Sequence, residues 1–323
     1  MLLLLLLVVI AGCGDDGAAG KVTLVTSTAS QVPGAASAGA TPRASRPPRV
    51  RPTQVARAMR TIGCQKPFEP GDSIGEIQSG GEQRTYRLHV PTKYDPRRAT
   101  PLLVSFHGYG QDAAQQDAYT GLPAFADAQS FVLVTPEGSG SPRGWDIPGI
   151  YNENGVDDVA FVNELVSSLG DSLCLDSRRI YATGHSNGAQ MASQVACGLP
   201  WLFAAVAPVS GAVFQDCQGQ GVPMIAFQGT EDYNVTFDES DEGVLGWVGH
   251  NGCPTDPEIT QPVETIERRS WACSAGDVVF YVMNGVGHVW PGGDASAGGV
   301  GPTTDAIDAN SLMWEFFRAH PHR

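Results

Sequence analysis

Seven short apolar runs, at 86–90, 102–106, 131–134, 180–182, 204–209, 224–227 and 278–283, set the tightest limit on how this chain folds. They are rich in Val, Ile, Leu and Phe, and they are nearly continuously apolar rather than alternating. A strand of that kind needs apolar cover on both faces. Helical periodicity at 156–169, 189–197, 244–251 and 309–319 supplies it between several of the runs. Strands interleaved with helices predict an α/β fold, a mostly parallel central sheet with helices on both faces. In such a sheet reactive groups collect beyond the carboxyl ends of the strands, so the chemistry is expected just after these runs.

The N-terminal part reads differently. Residues 2–10 are nine apolar residues in a row. As a helix they cover about 14 Å, half of a hydrocarbon layer, so the run fits the apolar region of a secretory signal and not a membrane span. It ends in Ile10-Ala11-Gly12-Cys13, which resembles the bacterial lipobox, whose Cys is lipidated and becomes the new N-terminus. Residues 1–13 are therefore expected to be a lipoprotein signal peptide ending at Cys13. Residues 14–63 lack aromatics and consist largely of Ala, Ser, Thr, Pro, Gly and Arg, with six Arg and no acid between Arg43 and Arg60. That composition buries too little surface to offset the entropy of ordering, and it predicts a disordered linker. The folded body is expected at 64–323.

Charge narrows the partners. The chain carries a formal net charge of −14, and beyond the basic arm the acids far outnumber the bases. No nucleic-acid partner is expected, because such a footprint needs clustered Lys and Arg on the folded surface. Contact with a membrane is expected only through the lipid at Cys13.

Export also bears on the cysteines. Of seven, Cys13 is assigned to lipidation, which leaves an even number for an oxidising compartment. Nearest-partner pairing gives Cys197–Cys217 and Cys253–Cys273, and Cys64 then pins the start of the body to Cys174. No Cys-x-x-Cys pair or Cys/His cluster has ligand spacing, so no metal is expected.

The sharpest chemical signal is Gly184-His185-Ser186-Asn187-Gly188, set between a strand-like run and a helical stretch. G-x-S-x-G in that context is a nucleophile elbow, a strained turn whose glycines clear room for the exposed Ser. A Ser hydroxyl needs a base to take its proton, and the base needs a carboxylate to orient it. In this arrangement the order along the chain is Ser, acid, His. His288 directly follows the run at 278–283 within a turn of small residues, and it is the expected base. The run at 224–227 leads to Glu231 and Asp232; Asp232 is taken as the acid and Glu231 as its solvent-facing neighbour. The oxyanion hole is expected from the backbone N–H groups of Asn187 and of Tyr109, the latter within His107-Gly108-Tyr109-Gly110. His107 is assigned to shaping that turn, and Asp157 and Asp158 to a helix start. Trp145, Tyr109 and Trp290 are expected to line the substrate site as an aromatic platform.

Several motifs together resemble the polyhydroxybutyrate depolymerase and feruloyl esterase group of the α/β-hydrolases, which is similar to carbohydrate esterase family one. They are Phe106-His-Gly-Tyr-Gly110, Val156-Asp-Asp-Val-Ala-Phe161, the elbow, Gly229-Thr-Glu-Asp232 and Gly287-His-Val-Trp-Pro-Gly-Gly293. The resemblance runs from about Cys64 to the C-terminus. It departs at Gln228, where relatives often carry His, and at Ala189-Gln190, which replaces a Gly-rich helix start. It implies an α/β-hydrolase that cleaves carboxylic esters through an acyl-enzyme without a cofactor. The substrate it implies is a feruloyl, aryl or short-chain ester of a polysaccharide, with a polyester such as polyhydroxybutyrate as the alternative. A serine peptidase on the same fold and a catalytically inactive surface lipoprotein are the rival readings. The expected location is exported, anchored to the cell envelope by lipid or secreted.

Overall fold

The computed structural model describes residues 60–150, 155–215 and 217–322. The expected signal peptide, Cys13 and the linker up to residue 59 lie outside the described residues.

The body is built on a ten-stranded sheet. Six central strands run parallel: β3 (Thr100–Phe106), β4 (Val132–Pro136), β5 (Leu175–His185), β6 (Ala205–Val209), β7 (Met224–Gly229) and β10 (Val278–Met283). One edge is extended by the antiparallel pair β1 (Gly71–Ser79) and β2 (Glu82–Val90), the other by the hairpin β8 (Glu258–Val263) and β9 (Ile266–Trp271). The spatial order is β1-β2-β4-β3-β5-β6-β7-β10-β9-β8.

Alternation along each central strand explains the unbroken apolar runs. Met224 and Ala226 face one core, while Ile225 and Phe227 face the other. Val278, Phe280 and Val282 divide from Val279, Tyr281 and Met283 in the same way. Side chains two apart share a face, so a strand covered on both sides is apolar at most positions on both. The first core is closed by α3 (Asp158–Ser172), α4 (Asn187–Gly198) and α5 (Phe237–His250), through residues such as Phe161, Met191 and Trp247. The second is closed by α1 (Ala113–Thr120), α2 (Leu122–Gln129) and α6 (Ala309–Ala319), through Tyr119, Leu122, Trp314 and Phe317.

Caps fix the helix starts that matter for the site. Asp157 accepts from Ala160 N–H, and Thr236 and Glu239 form a reciprocal capping box that starts α5 seven residues before the apolar stretch read from the sequence. Asp158 is not merely a dipole partner. Its Oδ1 lies 2.7 Å from an Arg84 guanidinium nitrogen, and its Oδ2 accepts from Asp146 N–H, which ties the loop after β4 to the sheet edge.

Three disulfides join Cys64–Cys174, Cys197–Cys217 and Cys253–Cys273. The body begins earlier than Cys64, however. Residues 60–63, placed in the linker by composition, are held by backbone hydrogen bonds from Thr61 N–H to Leu175 O and from Gly63 N–H to Gly170 O. The Thr61 hydroxyl adds to the capture, donating to Leu173 O and accepting from Leu175 N–H, and neither kind of bond shows in an apolar pattern. A Cβ on Gly63 would sit 2.4 Å from Leu173 N, and only glycine permits the approach.

The turn after β3 is set by His107, which is fully buried. Its Nε2 accepts from Gly138 N–H at 2.9 Å, so Nδ1 carries the proton and faces Gly108 O at 2.8 Å. Burial drives its pKa down to about 4, against the smaller upward pull of that bond. The unfolded chain takes up this proton near pH 6.5 and the folded one only near 4, so acid favours unfolding between those values. Stability at pH 4.5 should therefore lie below that at pH 7, with His107 contributing up to roughly 3 kcal/mol. Urea unfolding at both pH values checks this, and His107→Gln should flatten the difference; an unchanged difference in that variant would refute the assignment.

Candidate active site

Ser186 sits where β5 passes into α4, with φ 59° and ψ −125°. A non-glycine residue in this region is strained and persists only when its surroundings hold it there. The flanking glycines supply the room. A Cβ on Gly184 would meet Gly188 O at 2.3 Å, and one on Gly188 would meet Phe106 O at 2.1 Å. The turn is thus pressed against the end of β3, and Ser186 N–H is bonded to Val209 O at the end of β6. The hydroxyl-bearing residue is held at the carboxyl ends of three neighbouring strands.

The loops after β7 and β10 bring in the acid and the imidazole. His288 Nδ1 lies 2.7 Å from Asp232 Oδ2, and both side chains are buried. The same carboxylate accepts three further hydrogen bonds, from Asn234 N–H and Val235 N–H on Oδ1 and from Gln228 Nε2 on Oδ2. Glu231 is exposed, as the sequence reading expects of it. His288 is clasped by a pair of 2.8 Å backbone bonds with Val300. The His185 ring packs against it at 4.6 Å between centroids. Burial drives the His185 pKa well below its ordinary value, and the neighbouring His288 adds to this, so His185 stays neutral beside it.

Ser186, His288, Asn187 and Tyr109 line one open cavity of about 540 Å³, shared with Gln190 and Tyr233. Asn187 is the first residue of α4, where backbone N–H groups have no partner within the helix. Tyr109 lies in the turn closed by Gln111 N–H to Gly108 O and by Gly110 N–H to Arg143 O. Among the described residues, no group of three or more His, Cys, Asp or Glu is arranged to hold a metal ion.

Trp145 and Trp290 require a correction. Both are buried, at 1% and 2% exposure, and neither lines the cavity. Trp145 is a brace: its indole N–H donates to His107 O, and its backbone N–H donates to the Asn187 side-chain oxygen. It therefore ties the turn bearing Tyr109 to the start of α4. Trp290 packs under the His288 loop, with its backbone N–H on the Tyr119 hydroxyl and its indole on Asn310. The aromatics at the mouth are Tyr109, 42% exposed, and Tyr233, 85% exposed. Tyr233 directly follows the acid in sequence, and that adjacency was the signal that could have found it.

Residues 84–231 match the family described as esterase, PHB depolymerase. The chain is 33% identical to feruloyl esterase C of Emericella nidulans over 273 residues, which cover 80% of this chain and 90% of that one. It is 27% identical to feruloyl esterase D of Neurospora crassa, over 81% of this chain and 91% of that one. An acetyl xylan esterase structure from Aspergillus awamori superposes with a TM-score of 0.60 at 18% identity, covering 76% of this chain and 99% of that one. At that identity the superposition speaks for the fold alone. The strand order, the strained serine turn, the buried Asp–His pair and a relative that shares a third of its residues over nearly its whole length agree: the chain belongs to the polyhydroxybutyrate depolymerase and feruloyl esterase group of α/β-hydrolases and is a carboxylic ester hydrolase.

Proposed function

We propose that this is an exported serine esterase that acts on feruloyl, other aryl or short-chain esters of polysaccharides. The observation that carries the mechanism is the 2.7 Å Asp232–His288 bond opening onto the same cavity as the strained Ser186. Ser186 Oγ attacks the ester carbonyl and passes its proton to His288 Nε2. Asp232 holds Nδ1–H, which fixes the tautomer and steadies the imidazolium. The carbonyl oxygen, now negative, is received by the N–H groups of Tyr109 and Asn187. His288 returns the proton to the departing alcohol. Water, activated by the same imidazole, then releases the acid from Ser186.

The substrate class rests on the relatives named feruloyl esterase and on the cavity mouth. Tyr109 and Tyr233 line the same cavity as Ser186, and the largely exposed Tyr233 ring suits a planar acyl group or a sugar ring. The family match at 84–231 keeps polyester hydrolysis as the second reading, since a hydroxyalkanoate chain needs the same open mouth. For the location, three disulfides support an oxidising compartment. Lipidation at Cys13 supplies the anchor in this reading. The segment leading from it reaches the body at residues 60–64, against the N-terminal end of β5. Ser186 follows the opposite end of that strand, which a bulge shortens to roughly 20 Å between Leu175, opposite Thr100, and Gly184, opposite Phe106.

An organophosphonate should label Ser186, and Ser186→Ala should lower turnover of p-nitrophenyl acetate by at least about 10³-fold with the fold intact. Peptide mapping of the label checks the site; labelling elsewhere with activity retained in the variant would refute it. Removing the exposed ring should separate substrates. Tyr233→Ala is expected to raise KM for methyl ferulate about 3–10-fold and to leave KM for ethyl butyrate within about twofold. Equal changes for the two esters would rule out an aromatic contact at this position.

A further inference from the structure

Gln228 occupies a place that no catalytic step uses, yet its amide is the most fully engaged polar side chain behind the site. It is completely buried near the end of β7. Nε2 donates to Asp232 Oδ2 at 2.9 Å and to Val235 O at 2.9 Å, and Oε1 accepts from Ser240 Oγ on α5 at 2.7 Å. The oxygen that receives this amide is the same Oδ2 that faces His288 Nδ1.

We infer that Gln228 is a positioning residue for the reaction, which holds the Asp232 carboxylate in the plane that orients His288. The inference rests on the Ser186–His288–Asp232 reading above. A carboxylate offers about four lone-pair sites, and here four donors occupy them: two backbone N–H groups on Oδ1, and the imidazole and the amide on Oδ2. With all four in place the group has no freedom to rotate about its terminal torsion. Without the amide, Oδ2 keeps only His288 as a donor, and Val235 O and Ser240 Oγ lose a buried partner. The loop that carries Asp232 is then loosened at two points, since the Gln228 amide also grips it at Val235. An amide does not titrate, so this support is the same at every working pH.

The test is made on the whole exported protein with p-nitrophenyl acetate, comparing Gln228→Met, Gln228→His and Ser186→Ala by kcat, KM and thermal unfolding. Gln228→Met keeps the bulk and removes the donor; kcat should fall about tenfold or more with KM within about twofold. Gln228→His returns an N–H to the same place and should restore kcat to within about threefold of the unaltered protein at pH 8. A merely structural role predicts that kcat and unfolding temperature fall and KM rises together, with no recovery in the His variant. A folded Gln228→Met protein with kcat within twofold of the parent overturns the inference. Should that variant not fold, the His variant decides alone: restored kcat supports the role, and a larger loss in a folded protein overturns it. Ser186→Ala keeps the two readings apart. If it retains turnover, the esterase mechanism fails. If it is inactive while Gln228→Met is unimpaired, only the role of Gln228 fails.

Discussion

A serine held at φ 59° between two glycines is the constraint around which the rest of this structure is arranged. The conformation costs on the order of 1–3 kcal/mol and cannot persist by local preference. It is imposed from three sides. The carbonyl of Phe106 at the end of β3 occupies the space a side chain on Gly188 would need, and Gly184 and Gly188 approach each other too closely for any Cβ. From the third side, Val209 O receives the Ser186 N–H. The central strands must therefore end level with one another, and the largely apolar, buried interior of β3, β5 and β6 is what keeps them so. Core packing and the strained turn are linked here directly: the sheet supplies the force that holds Ser186 in place.

The acid and the imidazole depend on a second constraint, adjacency of β7 and β10. About fifty residues separate these strands in the chain, yet they pair in parallel register from Val278 opposite Met224 to Met283 opposite Gly229. Their loops are then stitched together above the sheet by Thr230 N–H to Met283 O and Glu231 N–H to Val286 O. Gly229 is needed at this seam, because a Cβ there would meet Val286 O at 2.2 Å. The stitching also separates the roles of two neighbouring acids. With its N–H committed to Val286, Glu231 lies at the surface, and the next residue turns inward, where four donors await a carboxylate.

These constraints explain which parts of the molecule were legible in the sequence. The parallel strands were visible because burial on both faces favours apolar residues at most positions, and the serine turn was visible because its steric demands can be met only by glycine. Of the antiparallel edges, only the run at 86–90 in β2 was. β8 is exposed along its length and β1 over most of it, so neither carries an apolar run. The first two helices on the second face were hidden for another reason. α1 buries Gln116 and Asp117, which bond to Ser105 and to Arg87 and Thr135, so polar pairing replaces the apolar stripe by which a helix is recognised. The β-sheet edge that α1 packs near is thus held partly by hydrogen bonds that no periodicity reveals.

The tryptophans show where reasoning from residue type fails. A large aromatic next to a catalytic motif in sequence invites a role at the substrate, but the area it removes from water gives it a stronger reason to be buried. Trp145 and Trp290 each satisfy that and place their indole N–H on an internal acceptor. Tyr233 at the mouth faces a different balance, because its hydroxyl tolerates water, and it is 85% exposed. Tyr233 has a further reason to remain outside: the backbone on either side of it is fixed, by Asp232 pointing in and by Asn234 N–H bonded back to that carboxylate. In so tight a turn the intervening side chain is directed away from the core. The same hydrogen bonds that hold the acid in place thereby set an aromatic ring at the edge of the cavity, so the buried partner of His288 and the exposed Tyr233 come from one short loop.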